Sequence, residues 1–356
     1  MRRLIVIGGG IMGMATAIHA LEAGLSVKVI ERERVGRGAT WAAAGMLGAQ
    51  TELHTGAEVL SFSLQARAYW RDFAHQLETW SGMQTGYRQE GAYRAAMTEA
   101  SLTALQKLAD QHGAVRGRYR WVEDGFPLLP EAKGVLYFPD EGQVDARLTI
   151  DAMRQAFIHR GGELFEGENV TGYGRSDGGW QVHTESGNTF TGDQLLAAPG
   201  VAGFPGGKEA DVHPVKGECL ALRPDELPFQ ETLVTDDVYL VPKADGRIII
   251  GATEQPWDTS RHVRASAVSH LLDQALMLVP ALADAVVEVL WSGVRPRHNR
   301  GIPEVDEWEE GFFVSIGHYR NGILLSALTG KLLAEWMATG RKPPLMNGFK
   351  KEEITS

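Results

Sequence analysis

The first 46 residues restrict this chain more than any other stretch of it. Leu4 to Ile7 is an uninterrupted apolar run of the kind a buried parallel strand shows, and Gly8, Gly10 and Gly13 follow at G-x-G-x-x-G spacing. In such a turn the first glycine allows the tight bend, the second lets a pyrophosphate lie against bare backbone, and the third lets the next helix pack closely. That helix is predicted to begin near Ile11, so its free N–H groups and positive dipole end would face the phosphates. Gly24 is placed to end it, Val27 to Ile30 read as the next strand, and Glu31 closes that strand. An acid about 20 residues beyond the turn accepts hydrogen bonds from a ribose diol and repels an adenosine 2′-phosphate. A glycine-rich turn alone is weak evidence. Set between a strand and a helix, with the acid in place, it predicts a dinucleotide site.

The rest of the composition mainly excludes. At 356 residues the chain suggests about two domains of roughly 150 residues each. A formal charge of −10, with no basic run, argues against nucleic acid as a partner. The single cysteine, Cys219, rules out an internal disulfide framework and any cysteine-rich metal site, which suits a reducing cytoplasm. No histidine stands at metal-ligand spacing, so no metal is expected. Leu4 to Leu21 carries no charged residue and follows two arginines, as a signal sequence would. Its glycines and His19 fit a nucleotide-binding start instead, and no membrane insertion is expected.

Helical spacing recurs over Leu60 to Trp80, Ala100 to His112, Leu148 to Arg160, Ala265 to Leu278 and Ile323 to Thr339. Strands are predicted over Arg88 to Ala96, in several short runs between Glu163 and Thr191, and at Leu195 to Ala198, Lys216 to Leu222, Thr232 to Val241, Arg247 to Gly251, Leu290 to Pro296 and Gly311 to Ile316. The fold class expected is α/β (α+β), with two interleaved domains. One, from 1–84, 140–205 and 291–356, would hold the dinucleotide; the other, from 85–139 and 206–290, would be a mostly antiparallel sheet facing the substrate.

Three further features could carry chemistry. The loop from Arg37 to Met46 is rich in small residues that would let backbone lie against a flat ring, although a small-residue helix start accounts for the same composition. Tyr239, Arg295 and Arg320 each sit beside a turn or strand end, and an arginine fork with a tyrosine hydroxyl can hold a carboxylate. Taken singly, each arginine reads better as a surface salt bridge, and spacing alone does not promote it. His318, between Gly317 and Tyr319, suits a backbone hydrogen-bonding role better than that of a general base. Cys219 reads as a small core residue.

The N-terminal turn, Ala43-Ala44-Gly45-Met46, Val215-Lys216-Gly217-Glu218, Tyr239-Leu240-Val241-Pro242, Gly251-Ala252-Thr253, Gly293-Val294-Arg295-Pro296 and Gly317-His318-Tyr319-Arg320-Asn321-Gly322 together resemble the D-amino-acid-oxidase (DAO) family of flavoproteins, above all its glycine-oxidase, ThiO-like branch. The likeness runs from Leu4 to about Gly330. It implies non-covalent FAD in a Rossmann-like domain, roofed by the sheet of the second domain. By that likeness Gly8, Gly10 and Gly13 hold the pyrophosphate, Glu31 the ribose, and Ala44, Gly45 and Met46 line the isoalloxazine. Val170 touches the adenine side, and His318, Tyr319, Arg320, Asn321, Gly322, Ile323 and Leu324 run beside the pyrimidine edge. Ile11, Met12, Arg32, Ala39 and Thr40 complete the implied cofactor set. Arg295, Tyr239 and Arg320, with Met46, would hold the substrate.

The implied reaction is oxidation of a small amino acid (glycine, sarcosine or a small D-amino acid) by hydride transfer to flavin, with O2 as acceptor, giving a 2-oxo acid, ammonia and H2O2. A ThiO-like setting adds thiazole synthesis for thiamine. The alternative is a dehydrogenase of related fold that passes electrons to a quinone or other acceptor; a nucleotide-binding protein without catalysis is a third reading. The oligomeric state is open, a homo-oligomer included. Where the family commonly has Thr-Pro-Asp-Gly after the Arg-Pro pair, this chain has His298-Asn299-Arg300-Gly301. Trp41 is large for its loop, Pro199 is added to an Ala-Gly corner, and Ser326-Ala327-Leu328-Thr329-Gly330 replaces Ala-Pro-x-Thr-Gly. These departures leave the substrate in question.

Overall fold

The first strand, Arg3–Ile7, pairs in parallel with Ser26–Glu31 on one side and Gln194–Ala197 on the other, as an apolar run without alternation requires. Glu163–Glu166 and Phe312–Ile316 extend this sheet in parallel, and Glu304–Glu309 adds an antiparallel edge, giving six strands. Both faces are covered. Leu4 and Val6 enter the main helical core, whereas Ile5 and Ile7 pack towards the three-stranded sheet of Val170–Ser176, Gly179–Thr184 and Thr189–Gly192. The computed structural model describes residues 1–52, 57–114, 117–122, 126, 128–204 and 211–349.

Helix Ile11–Glu22 leaves the glycine turn and ends where the sequence predicts. Gly24 takes φ +84°, and the N–H groups of Gly24 and Leu25 return to the carbonyls of Leu21 and Ala20. The helix packs along Gly322–Thr339. The crossing is close at Gly330, where an added Cβ would stand 2.7 Å from the Ala15 backbone. Helix Ala57–Ser81 covers the same core, with Trp70 fully buried and its indole N–H donated to the carbonyls of Ile323 and Leu324.

A nine-stranded, mostly antiparallel sheet lies beyond the Ala39–Ala42 helix. Its long central strand, Val212–Arg223, pairs with Ile248–Gly251 and Gln255–Pro256 on one side and with Val286–His298 on the other. The other strands are Tyr239–Pro242, Thr232–Val234, Ala92–Ala96, Gly134–Phe138 and Arg120–Trp121. Helix Ala265–Leu278 packs on this sheet over a core of Leu220, Leu240, Ile248 and Ile250. The sheet content therefore agrees with the predicted α/β class.

Three details differ from the sequence reading. The run Thr232 to Val241 is a hairpin turning at Thr235–Val238, where Thr235 Oγ1 accepts from the N–H groups of Asp237 and Val238. The strand predicted from Arg88 starts at Ala92, and Arg88 makes only an isolated bridge to Gln143. Strand Val286–His298 is longer than the predicted Leu290 to Pro296 and pairs with Val212–Arg223 along its length, with one register shift between Ala221 and Leu222. Among the described residues no helix is long and apolar enough to cross a membrane.

Candidate functional site

The glycine turn opens onto a cleft of about 1010 Å³ that both sheets help to line, with Gly8 and Glu31 at strand ends of one and Val294 and Pro296 on a strand of the other. Gly8 and Gly13 build the turn itself. A Cβ on Gly13 would stand 2.0 Å from the Gly8 carbonyl oxygen, and one on Gly8 2.3 Å from that of Ala198. Above Gly10 the space is open, its nearest neighbour being Thr40 Oγ1 at 3.7 Å from an added Cβ. The Thr40 hydroxyl also accepts the Ile11 N–H at 3.0 Å and so fixes the loop to the helix start. The Glu31 carboxylate accepts from the N–H groups of Gly9 (2.7 Å) and Glu33 (2.9 Å) and thereby holds the turn against the second strand.

Two buried polar atoms on this cleft, His318 Nε2 and Ser315 Oγ, have no hydrogen-bond partner among the described residues. A buried polar group without a partner is costly, and these two are placed to meet polar atoms of a ligand. Burial and the neighbouring His298 push the His318 imidazole down to about 3, so it is neutral near pH 7 and a poor proton acceptor. Of the cofactor residues predicted, Gly8, Gly10, Ile11, Met12, Glu31, Arg32, Ala39, Thr40, His318, Tyr319, Arg320, Gly322 and Ile323 line this cleft. Val170 lines an adjoining cavity of about 620 Å³ that shares Gly8, Glu31 and Arg32 with it. Gly13 and Leu324 line neither, being packed beneath.

Ala44, Gly45, Met46 and Asn321 line a second chamber of about 670 Å³, which shares Ala39, Ala43, Tyr319, Arg320 and Ile323 with the first. Gly45 takes φ +85°, and a Cβ there would stand 2.0 Å from the Val144 carbonyl oxygen. Lys243, missed in the sequence, is buried behind this loop and donates to the carbonyls of Ala44 (2.5 Å) and Val144 (3.0 Å) and to Gln143 Oε1 (2.8 Å). Burial pushes its ammonium down to about 7. Trp41 lines none of these cavities. Arg147 lies 3.7 Å from the centre of its ring and 4.9 Å from that of Trp291, and donates to the Trp41 carbonyl.

Arg295, Tyr239 and Arg320 are brought together in the second chamber, but the two arginines differ. Arg320 is clamped by Glu52, with Nε–Oε2 2.8 Å and Nη2–Oε1 2.7 Å, and its Nη1 meets Glu254 at 2.9 Å. Burial pushes the Glu52 carboxyl up, yet Arg320, with Arg94 and Arg295 beyond it, more than offsets this and holds it below the usual range. Arg295 has no carboxylate within ion-pair distance among the described residues; its one protein hydrogen bond runs to the Thr253 carbonyl at 3.3 Å. Its fork lies over Gly217, where a Cβ would meet Nη2 at 2.5 Å, and the Tyr239 hydroxyl lies 2.4 Å from an equivalent point on Gly251. Burial pushes the Tyr239 phenol well up, so it stays a donor, and Cys219 Sγ lies 3.6 Å from its oxygen.

Sequence reasoning missed Glu52 and Glu254; Cys219 is the buried core residue that the sequence predicts, and it also borders this chamber. The signal available was indirect: two arginines expected in one pocket call for resident counter-charges. Glu52 is held in place from behind, since the buried Glu141, paired with Arg67 at 2.7 Å, accepts from the Gln50 N–H and the Thr51 hydroxyl. The His298-Asn299-Arg300 departure lies outside both chambers, with His298 buried beneath Gly317 and bonded to Glu304 at 3.1 Å.

The sequence model of the FAD dependent oxidoreductase (DAO) family matches residues 3–336. The chain is 35% identical over 345 residues to a glycine oxidase of Geobacillus kaustophilus, covering 93% of this chain and 91% of that one. It is 31% identical to a bifunctional ThiO/ThiG protein of Synechocystis over 99% of its own length and 54% of that protein's. The crystal structure of glycine oxidase from Geobacillus kaustophilus superposes with a TM-score of 0.93 at 32% identity, over 99% of this chain and 100% of that one. With a cleft built on the glycine turn and this match along nearly its whole length, the chain belongs to the DAO family of FAD-dependent oxidoreductases.

Proposed function

We propose that this protein catalyses the oxidative deamination of a small amino acid, glycine, sarcosine or a small D-amino acid, with O2 as the final acceptor. One observation carries the reading: Arg295, a guanidinium with no carboxylate partner, stands beside a protonated tyrosine in a chamber contiguous with the cofactor cleft. The name of a relative supports it, since the Geobacillus kaustophilus protein matched in both sequence and structure is a glycine oxidase. The ThiO/ThiG relative supports a place in thiazole synthesis for thiamine.

The residues fit FAD. The helix end at Ile11 and the open space over Gly10 suit a pyrophosphate, Glu31 and Val170 lie on the adenosine side, and the unpartnered His318 Nε2 and Ser315 Oγ suit the polar edge of a flavin. Bound there, FAD supplies the two-electron acceptor that converts the amino acid to its imine. The protein's share is orientation. Arg295 and the Tyr239 hydroxyl fix the substrate carboxylate, and the Ala43–Met46 loop, held by Lys243, sets the depth of the chamber. Among the described residues the groups beside the chamber are weak bases for taking a proton from the amine: the His318 imidazole is pushed down to about 3, and arginines hold the Glu52 and Glu254 carboxylates below the usual range. Water then hydrolyses the imine to a 2-oxo acid and ammonia, or methylamine where the substrate is sarcosine, while oxygen is reduced to H2O2.

Anaerobic bleaching of the flavin band, across glycine, sarcosine, D-alanine, D-proline and their L-forms, tests this. Reduction by at least one small amino acid, followed by reoxidation in air with H2O2 release, is expected. No bleaching with any of them overturns the reading; bleaching that persists in air assigns the electrons to another acceptor.

A further inference from the structure

A third cavity, of about 730 Å³, shares Tyr239 and Arg320 with the substrate chamber, and Arg320 alone with the cofactor cleft. A substrate whose carboxylate is held on Arg295 and Tyr239 would extend any further group past Arg320 into this space. Its lining is acidic: Asp236, Asp237 and Glu254 contribute three carboxylates, against Arg320 and the rim residue His270. Arg320 is already engaged by Glu52 and Glu254, and Asp236 is paired with Arg94 at 3.0 Å. The Asp237 carboxylate has no hydrogen-bond or ion-pair partner among the described residues, and it is exposed.

Glu254 is the member of this set that touches the binding machinery directly. Burial pushes its carboxyl up, but the nearby Tyr319 hydroxyl and Arg320 outweigh this and keep it charged. Its backbone is fixed on both sides. Thr253 Oγ1 accepts the Glu218 N–H at 2.9 Å, Gln255 Nε2 donates to Glu218 Oε2 at 3.0 Å, and Glu218 is itself fully buried against Lys216 at 3.3 Å. The backbone that carries Glu254 is therefore fixed, and its exposed carboxylate is held towards the cavity by Arg320 at 2.9 Å.

Resting on the amino acid reading above, we propose that Glu254 makes this pocket discriminate by charge: it rejects amino acids that carry a second anionic group and admits those whose remainder is neutral or cationic. A second carboxylate entering the cavity would face Glu254 and Asp237, and the Arg320 N–H group that could receive it is occupied by Glu254. Replacing Glu254 with glutamine keeps an acceptor for Arg320 Nη1 and removes the charge, so that it isolates the repulsion.

The test compares shapes that differ only in charge. For the holoenzyme, kcat/KM is measured with iminodiacetate against its monoamide and with D-aspartate against D-asparagine. In parallel, succinate is compared with succinamate as a competitive inhibitor of glycine oxidation, so that a pair too large to turn over is still read. The wild-type protein is expected to favour the amide member by 30-fold or more. Glu254→Gln should shrink that preference about ten-fold, and Asp237→Asn, at an exposed site where folding is not at risk, about three-fold. Raising the salt concentration should shrink the wild-type preference as well. A wild-type preference under three-fold, or one unmoved in an E254Q protein that still binds FAD and oxidises glycine, overturns the proposal. Should E254Q not fold, an unchanged preference in D237N and in high salt does the same. If no amino acid bleaches the flavin of the wild-type protein, it is the parent reading that has failed.

Discussion

A guanidinium can recognise an incoming carboxylate only while no resident carboxylate has taken its fork, and by that criterion Arg295 and Arg320 part company. Arg295→Ala should raise KM for the amino acid ten-fold or more, the equivalent of roughly 1.5 to 3 kcal/mol for a charge-assisted bond, with a smaller effect on kcat. Steady-state kinetics with the preferred substrate checks this, and an unchanged KM removes Arg295 from the receptor. The sequence made Arg295, Tyr239 and Arg320 visible because each stands in a motif of its own. Glu52 and Glu254 stand in none, and their meeting with Arg320 spans 268 and 66 residues of chain, a distance over which spacing conveys nothing. Cys219 reads as a small core residue and is one, buried in a cluster with Ala221, Tyr239 and Trp291; that this cluster also borders the chamber is a matter of the tertiary fold, which no local pattern conveys.

Among the elements, the Ala43–Met46 loop depends on a lysine almost 200 residues away. The ordinary ammonium value of 10.5 falls to about 7 in the fold, so between those limits the unfolded chain binds the extra proton. Stability should therefore rise with pH from about 7 towards 10 on account of Lys243 alone, and stay level with respect to it below 7. Lys243→Met should abolish that slope and lower stability at neutral pH by about 1 to 3 kcal/mol, because the Ala44 and Val144 carbonyls lose their donor. Urea unfolding of both proteins from pH 6 to 9 reads the difference; parallel curves would contradict the assignment. Element types were largely legible, from the apolar run at Leu4 to Ile7 to the helix Ala265–Leu278. The hairpin at Thr235–Val238 was not, since its turn has neither glycine nor proline and is closed instead by the Thr235 hydroxyl. Trp41, conspicuous in the sequence, turns out to stack on Arg147, which no local pattern announces.

At the scale of the molecule, the cofactor cleft is walled by both sheets, so a bound FAD would be a strut between them as well as a reagent. Loss of the cofactor should then weaken the whole assembly. At a free FAD concentration of about 100 Kd, binding adds about 2.7 kcal/mol, which is on the order of 5 °C in Tm for a chain of this size. Calorimetry of stripped and reconstituted protein tests it, and coincident melting curves would show that the cleft lends the fold no support. The paired sheets also bear on how such an enzyme could change. Gly217 and Gly251 lie so close to Arg295 and Tyr239 that a single methyl group at either position would collide with the side chain it supports. A side chain at either position would displace the Arg295 fork or the Tyr239 ring, so the head-group receptor is sensitive to change there, whereas Asp237 at the far cavity is exposed and free to vary. A mutant library drawn over both regions should return new tails on old head groups, and hardly ever the reverse.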